Sequence, residues 1–173
     1  MKIESYQYPK SSFLGMEKDF ALIVNQMLAN DRLKKLLFYA DRNCLKLPNL
    51  NQEQTLGLIN KQIKLVPKVE VDKELFTYII ISADDFLQNY NNEFRDSTLS
   101  FDIICHFDQW NLGDFKLRPY LIAGELDSMF NNKKLTGIGT VQFVGARQIV
   151  LNDEFAGLSL VYQIIHGNED KVE

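Results

Sequence analysis

The feature that most constrains this chain is a change of hydrophobic period near residue 75. Before it, apolar residues recur at helical spacing; after it, they come in short β-branched and aromatic runs. Phe20, Ile23, Val24, Met27 and Leu28 predict a helix from about Met16 to Ala29. Asn30-Asp31 reads as a break and a fresh N-cap, opening a second helix from Arg32 to about Ala40 with Leu33, Leu36, Leu37 and Tyr39 on its apolar face. Helices joined this tightly must turn sharply and pack as a pair. Asn51 and Gln54 have capping-box spacing, in which each side chain satisfies the other residue's free backbone N–H. They open a third, short helix from Gln52 to about Gln62, carrying Leu56, Ile59 and Ile63. Pro67 and the run Lys68 to Glu74 read as a polar connector.

Beyond Leu75, the residues Phe76 to Ile81 predict a largely buried strand. Asn89, Asn91 and Asn92 mark a loop, because Asn tolerates left-handed backbone geometry. A second strand is expected from Thr98 to Phe107. Pro119 then starts a helix where its missing N–H costs nothing. Leu121, Ile122, Leu126, Met129 and Phe130 line that helix, which ends at Asn131-Asn132. Gly124 inside it costs about 1 kcal/mol relative to Ala, and a close backbone approach would explain it. The last third reads as a meander of three strands: Ile138 to Val144, Gln148 to Asn152 and Leu158 to His166. Gly145-Ala146 and the stretch Asn152 to Gly157 would be the turns between them. Helices, two strands, a helix, then three strands predict an α+β fold with a mostly antiparallel sheet, helices on one face and an N-terminal helical segment.

A chain of 173 residues fits one domain. It divides into a mainly helical part with an N-terminal arm to residue 74, a sheet-containing core from 75 to 167 and a tail from 168 to 173. A chain of this length buries roughly 70% of its unfolded surface and needs neither disulfide nor metal to hold it. No apolar run approaches the roughly 20 residues that cross a bilayer, and the polar start from Met1 to Lys10 lacks a signal-peptide core. The expectation is a protein of a reducing compartment with no membrane partner. A net charge of −4 argues against a binder held to nucleic acid by phosphate neutralisation.

The chemistry-bearing residues form no familiar constellation. Cys44 and Cys105 are far apart and without metal-ligand spacing, and read as small buried hydrophobes. Cys105 and His106 are strand neighbours that point to opposite faces, so they cannot form a nucleophile–base pair with each other. Gly137-Ile138-Gly139 stands after a helix and before a strand, the reverse of a dinucleotide-binding context. Asp84-Asp85, Asp102, Asp108 and Asp114 offer carboxylates without the paired arrangement that acid/base work needs, and Asp84-Asp85 reads as the cap of a segment beginning at Phe86. The expectation is therefore no catalytic, cofactor or metal site.

The aromatic residues are more informative. Trp110 lies in a polar stretch, Phe107 to Phe115, between a strand and a helix. It either closes over the core or anchors a protein interface. The arm with Tyr6 and Tyr8 is too aromatic for a featureless tail, and either orders on a neighbouring subunit or folds back. Tyr6, Tyr8, Trp110, Phe115 and Arg118 are the candidate subunit-interface residues, with the segment from Phe107 to Arg118 as the expected contact.

The run Phe101 to His106, then Trp110, Leu117-Arg118-Pro119-Tyr120, Ile122 to Asp127 and Leu135 to Gly139, with the closing strands, resembles head-to-tail connector or neck proteins of tailed bacteriophages, the tail-terminator-like ring proteins in particular. The likeness covers roughly Thr98 to Gly167. It implies a virion protein assembled in the bacterial host cytoplasm, closed into a six- or twelve-fold ring. Its partners would be copies of itself and portal, adaptor or tail proteins, with DNA passing through the lumen. Two other readings compete: a non-viral protein-interaction module, and a small enzyme using Cys105 or a carboxylate in a cleft.

Overall fold

The computed structural model describes residues 13–65, 76–88, 95–135 and 139–165. Tyr6, Tyr8, the Asn89 to Asn92 loop, His166 and the tail lie outside the described residues. The fold is α+β. In chain order come α1 (Phe13–Ala29), α2 (Asp31–Phe38), a 3-10 turn (Cys44–Lys46), α3 (Gln52–Leu56), β1 (Ile63–Lys64), β2 (Thr77–Gln88), β3 (Arg95–His106), α4 (Phe107–Trp110), a second 3-10 turn (Gly113–Phe115), α5 (Arg118–Phe130), β4 (Lys133–Leu135), β5 (Gly139–Val150) and β6 (Phe155–Ile165).

The six strands form one sheet in the order β1-β2-β3-β6-β5-β4. Only β1 and β2 run parallel. The pairs β2–β3, β3–β6, β5–β6 and β4–β5 are antiparallel. Alternation along the strands divides the buried residues between two faces. Ile79, Ile81, Leu99, Phe101, Ile103, Cys105, Leu158, Leu160, Tyr162 and Ile164 join α1, α2 and α5 in the main core. Phe101 stacks on Phe130 of α5 at 5.2 Å between ring centroids. The opposite face carries a second, smaller cluster of Tyr78, Ile80, Ile104 and Phe155, all from strands. Burial on both faces is why β2 reads as a continuous apolar run rather than an alternating one.

Local chemistry sets the helix boundaries. Asn30 accepts a hydrogen bond from the Leu33 N–H at 3.0 Å and so ends α1 and begins α2. The same side chain donates to Glu125 of α5 at 3.0 Å, and Arg32 pairs with Glu125 at 2.8 Å, which fixes the α1–α2 corner against α5. The capping box of Asn51 and Gln54 is present in both directions, at 2.8 and 3.0 Å.

Four local expectations are corrected. α3 stops at Leu56, and Ile63, expected on its apolar side, instead pairs with Ile79 at the sheet edge. Gly145-Ala146 is not a turn: the two expected strands are one strand, β5, with a bulge between Phe143 and Gly145. Asp84 and Asp85 lie within β2, which runs on through Phe86 to Gln88, rather than capping a new segment beginning at Phe86. Among the described residues, Gly124 approaches no other backbone outside its own helix. It is exposed, and a Cβ built there would meet nothing within 4 Å. Gly124→Ala is therefore expected to stabilise the chain by about 0.5–1 kcal/mol, read as a raised denaturation midpoint.

Candidate functional site

Arg118, the first residue of α5, is wholly buried. Its expected place at a subunit contact is thereby corrected: the side chain points inward and ties three elements together. Nε donates to the Gln109 carbonyl of α4 at 2.8 Å. One terminal nitrogen donates to the Leu36 and Tyr39 carbonyls, the other to Ala40 at 3.3 Å and Asp41 at 3.0 Å. A guanidinium has five N–H donors, and here each has a carbonyl acceptor. Four of those acceptors come from the end of α2 and the turn after it, where unpaired helix carbonyls and the helix dipole favour a cation. Burial pulls the guanidinium pKa down, yet arginine stays protonated in proteins. The Gln109 side chain extends the network by accepting from the Thr77 hydroxyl of β2 at 2.8 Å. No sequence pattern distinguishes this arginine. An arginine beside an aromatic loop is ordinarily exposed, and only the approach of α2 makes this one interior.

This seat supports an exposed rim. Phe107 is hydrogen-bonded through its N–H to the Glu154 carbonyl of the β5–β6 turn at 2.9 Å, and its ring leans on Trp110 at 6.0 Å. Trp110 itself is half-buried against the main core. Asn111 and Leu117 close a short bridge that holds the Gly113–Phe115 turn outward. Tyr120 reaches β5 by accepting a hydrogen bond from Gln148 at 3.3 Å. In these segments Phe107, Leu117, Tyr120, Val150 and Leu151 are all exposed, and Phe115 is fully so at 104%. Phe115 and its neighbour Asp114 also sit in left-handed backbone conformation, with φ of 57° and 59°. For a bulky residue that is strain of about 1 kcal/mol or more. An aromatic side chain that is both strained and fully exposed gains nothing from the isolated fold.

The other candidates are placed without forming a reactive site. Cys105 is buried, and desolvation pushes its thiol up to about 12, so it stays protonated at neutral pH. The Cys105 thiol is expected to resist alkylation in the native state at pH 8 and to react only on unfolding, which a thiol titration with and without denaturant reads directly. Cys44 is likewise buried, and its thiol is raised by desolvation. The His106 ring faces Phe155 on the opposite side of the sheet from Cys105, and its Nδ1 accepts from the Asp108 N–H as the cap of α4. Asp84 and Asp102 share a sheet face but lie opposite Thr98 and Ile80, four residues apart in register, about 13 Å along the strands. That is too far for two carboxylates to act on one bond. Among the described residues, no three His, Cys, Asp or Glu side chains group as metal ligands. A groove of about 780 Å³ opens beside β1, lined by Asn51, Glu53, Lys61, Lys64, Tyr78 and Phe155 among others, with the Lys64 ammonium 4.5 Å from the Tyr78 ring centroid. Among the described residues, Glu53 is the only carboxylate of its lining. Among the described residues, no helix is long and apolar enough to cross a membrane.

Neither the curated proteins nor the solved structures compared with the chain give a match. The profile of the YomW family matches residues 30–164, from the Asn30 cap to the penultimate residue of β6, and so takes in the arginine seat, the rim and all but the last residue of the described sheet. Since that match spans well over half of the chain, the protein belongs to the YomW family, a family of phage type.

Proposed function

We propose that the chain is a structural subunit of a phage particle, not an enzyme. Its place is the head-to-tail connector or neck, where copies close into a ring that joins portal to tail around the DNA channel. The observation that carries this reading is Phe115, wholly exposed in a left-handed backbone conformation, in a segment with other exposed apolar side chains beside the fully hydrogen-bonded Arg118 seat. Exposed aromatic side chains on a rigid support are the usual anchors of protein interfaces. The phage type of the family supports a phage protein, and the sequence likeness to neck proteins is what favours the connector among phage proteins. The net charge of −4 suits a lumen that lets DNA slide.

Phe115→Gly separates assembly from folding. It is expected to stabilise the free chain by about 1 kcal/mol by relieving the left-handed strain, while weakening self-association through loss of the aromatic anchor. Thermal melting and light scattering on the same sample read the two effects, and an unaltered association would discount the rim.

The placement in the particle is tested by complementation. A phage carrying this gene in disrupted form is expected to accumulate heads and tails that are not joined, visible by electron microscopy and restored by the intact gene. Complete particles in the absence of the chain would contradict the connector role.

A further inference from the structure

Strand β5 has an outer side that the fold leaves open. β4 is three residues long and pairs only with Gly139, Thr140 and Val141. From Gln142 to Val150 the outer edge has no neighbouring strand among the described residues. The direction of its backbone groups follows from the contacts at its start. The Val141 carbonyl accepts from the Asn132 N–H at 2.8 Å, and the Phe143 N–H donates to the Asn131 side chain at 3.2 Å. Odd-numbered residues therefore face outward before the bulge, and the bulge shifts the alternation by one. Beyond it Gly145, Arg147 and Ile149 face Val161, Ser159 and Gly157 of β6, leaving the N–H and C=O groups of Ala146, Gln148 and Val150 turned outward. Exposure agrees: Val144 is 60% and Val150 73% exposed, and Ala146, Arg147 and Gln148 are exposed too.

A long open edge is a template for another strand, and folded proteins guard such edges with proline, with several charges or by keeping them short. This one has no proline, and Arg147 is its sole charge from Gln142 to Val150. The edge also adjoins the rim, through the Gln148–Tyr120 hydrogen bond. Charge selects the occupant. Arg147 and the exposed Lys133 of β4 put positive charge along this edge, on a chain whose net charge is −4. At the far side of the sheet, among the described residues, β1 pairs with only Ile79 and Ile80 of β2, which continues past the exposed Asp84. Pairing two β5 edges about a two-fold axis would set like charges together. Setting the basic edge against the acidic end of β2 brings opposite charges together.

We propose that the outer edge of β5, from Gln142 to Val150, pairs with the β2 end around Asp84 of a second copy, so that the sheet runs head to tail from copy to copy. This rests on the assembly reading and names the surface that would close the ring, a contact between unlike patches, which is the kind that generates rings.

The test uses the full chain, dilute and concentrated, followed by amide hydrogen exchange and light scattering. Self-association should slow exchange at Ala146, Gln148 and Val150. Gln148→Pro removes an outward N–H while sparing the β5–β6 ladder. It should raise the association midpoint about tenfold or more, roughly the loss of one strand hydrogen bond and its neighbours, with an unchanged melting temperature. Arg147→Glu should weaken association, and mixing or combining it with Asp84→Lys should restore it. An oligomer that forms equally well from Gln148→Pro overturns the edge pairing and leaves the assembly reading standing. A chain that remains monomeric throughout overturns both. Retention on duplex DNA that Arg147→Glu abolishes, without self-association, assigns the basic edge to DNA and overturns the proposal.

Discussion

Replacing Arg118 by Met is expected to lower the unfolding free energy by about 3–5 kcal/mol, a large share of what a domain of this size has to lose. The substitution keeps the apolar stem of the side chain but removes the guanidinium and all five donors. The carbonyls of Gln109, Leu36, Tyr39, Ala40 and Asp41 then lose their partner together. A buried acceptor left unpaired costs about 1–3 kcal/mol, and those at the chain surface recover water, which sets the range. Arg118→Lys should recover only part of the loss. An ammonium has three donors on one atom and cannot span Gln109 on one side and the end of α2 on the other. Denaturant titration measures both variants. A Met variant within about 0.5 kcal/mol of the wild type, the range of ordinary surface substitutions, would show that Arg118 does not join α2, α4 and α5.

The second large effect belongs to Gly157. It sits in β6 opposite Ile104 of β3 and opposite Ile149 of β5, in the middle of the sheet. A Cβ there would lie 1.7 Å from the Ile103 carbonyl oxygen and 2.8 Å from its carbonyl carbon. The obstacle is backbone, so no rotamer change relieves it, and β3 and β6 must move apart around the Ile104–Gly157 pair. Gly157→Ala is expected to destabilise by about 3 kcal/mol, the upper part of the range for overpacking. For a chain of this length that is a fall of roughly 6–12 °C in melting temperature. Gly124→Ala, predicted to move the other way, is the natural control: one glycine is required by a neighbouring strand, the other by nothing among the described residues.

What the residues revealed before folding was local. The Asn30 cap and the Asn51–Gln54 box depend on side chains within three positions, so they were legible. The α+β order was legible because the change from helical to β patterning is a property of consecutive residues. What failed depended on distant chain. Ile63 has the spacing of a helix face, but its partner is Ile79 of β2. Lys133-Lys134-Leu135 has no strand pattern, and becomes one only because Gly139 to Val141 folds back beside it. Gly145 suggests a turn, whereas β6 runs past it and makes the position a bulge. Arg118 was the most consequential misreading. Its charge argued for the surface, and its role appears only when five carbonyls from two other segments converge on it.

The candidate surface was half legible. Phe115 belonged to the expected contact segment, and its exposure with left-handed geometry marks it as a residue held out of the fold. The open edge of β5 was invisible, because it is defined by how short β4 is. Tyr6 and Tyr8 lie outside the described residues, and their contribution to a contact is a matter for assembly experiments.

The most direct test of assembly is the mass of the purified chain in solution, by light scattering across a concentration series. The connector reading predicts a discrete species near six or twelve chains whose population grows with concentration and falls in the Phe115→Gly variant. A strict monomer at every concentration would contradict self-assembly through the rim and the β5 edge.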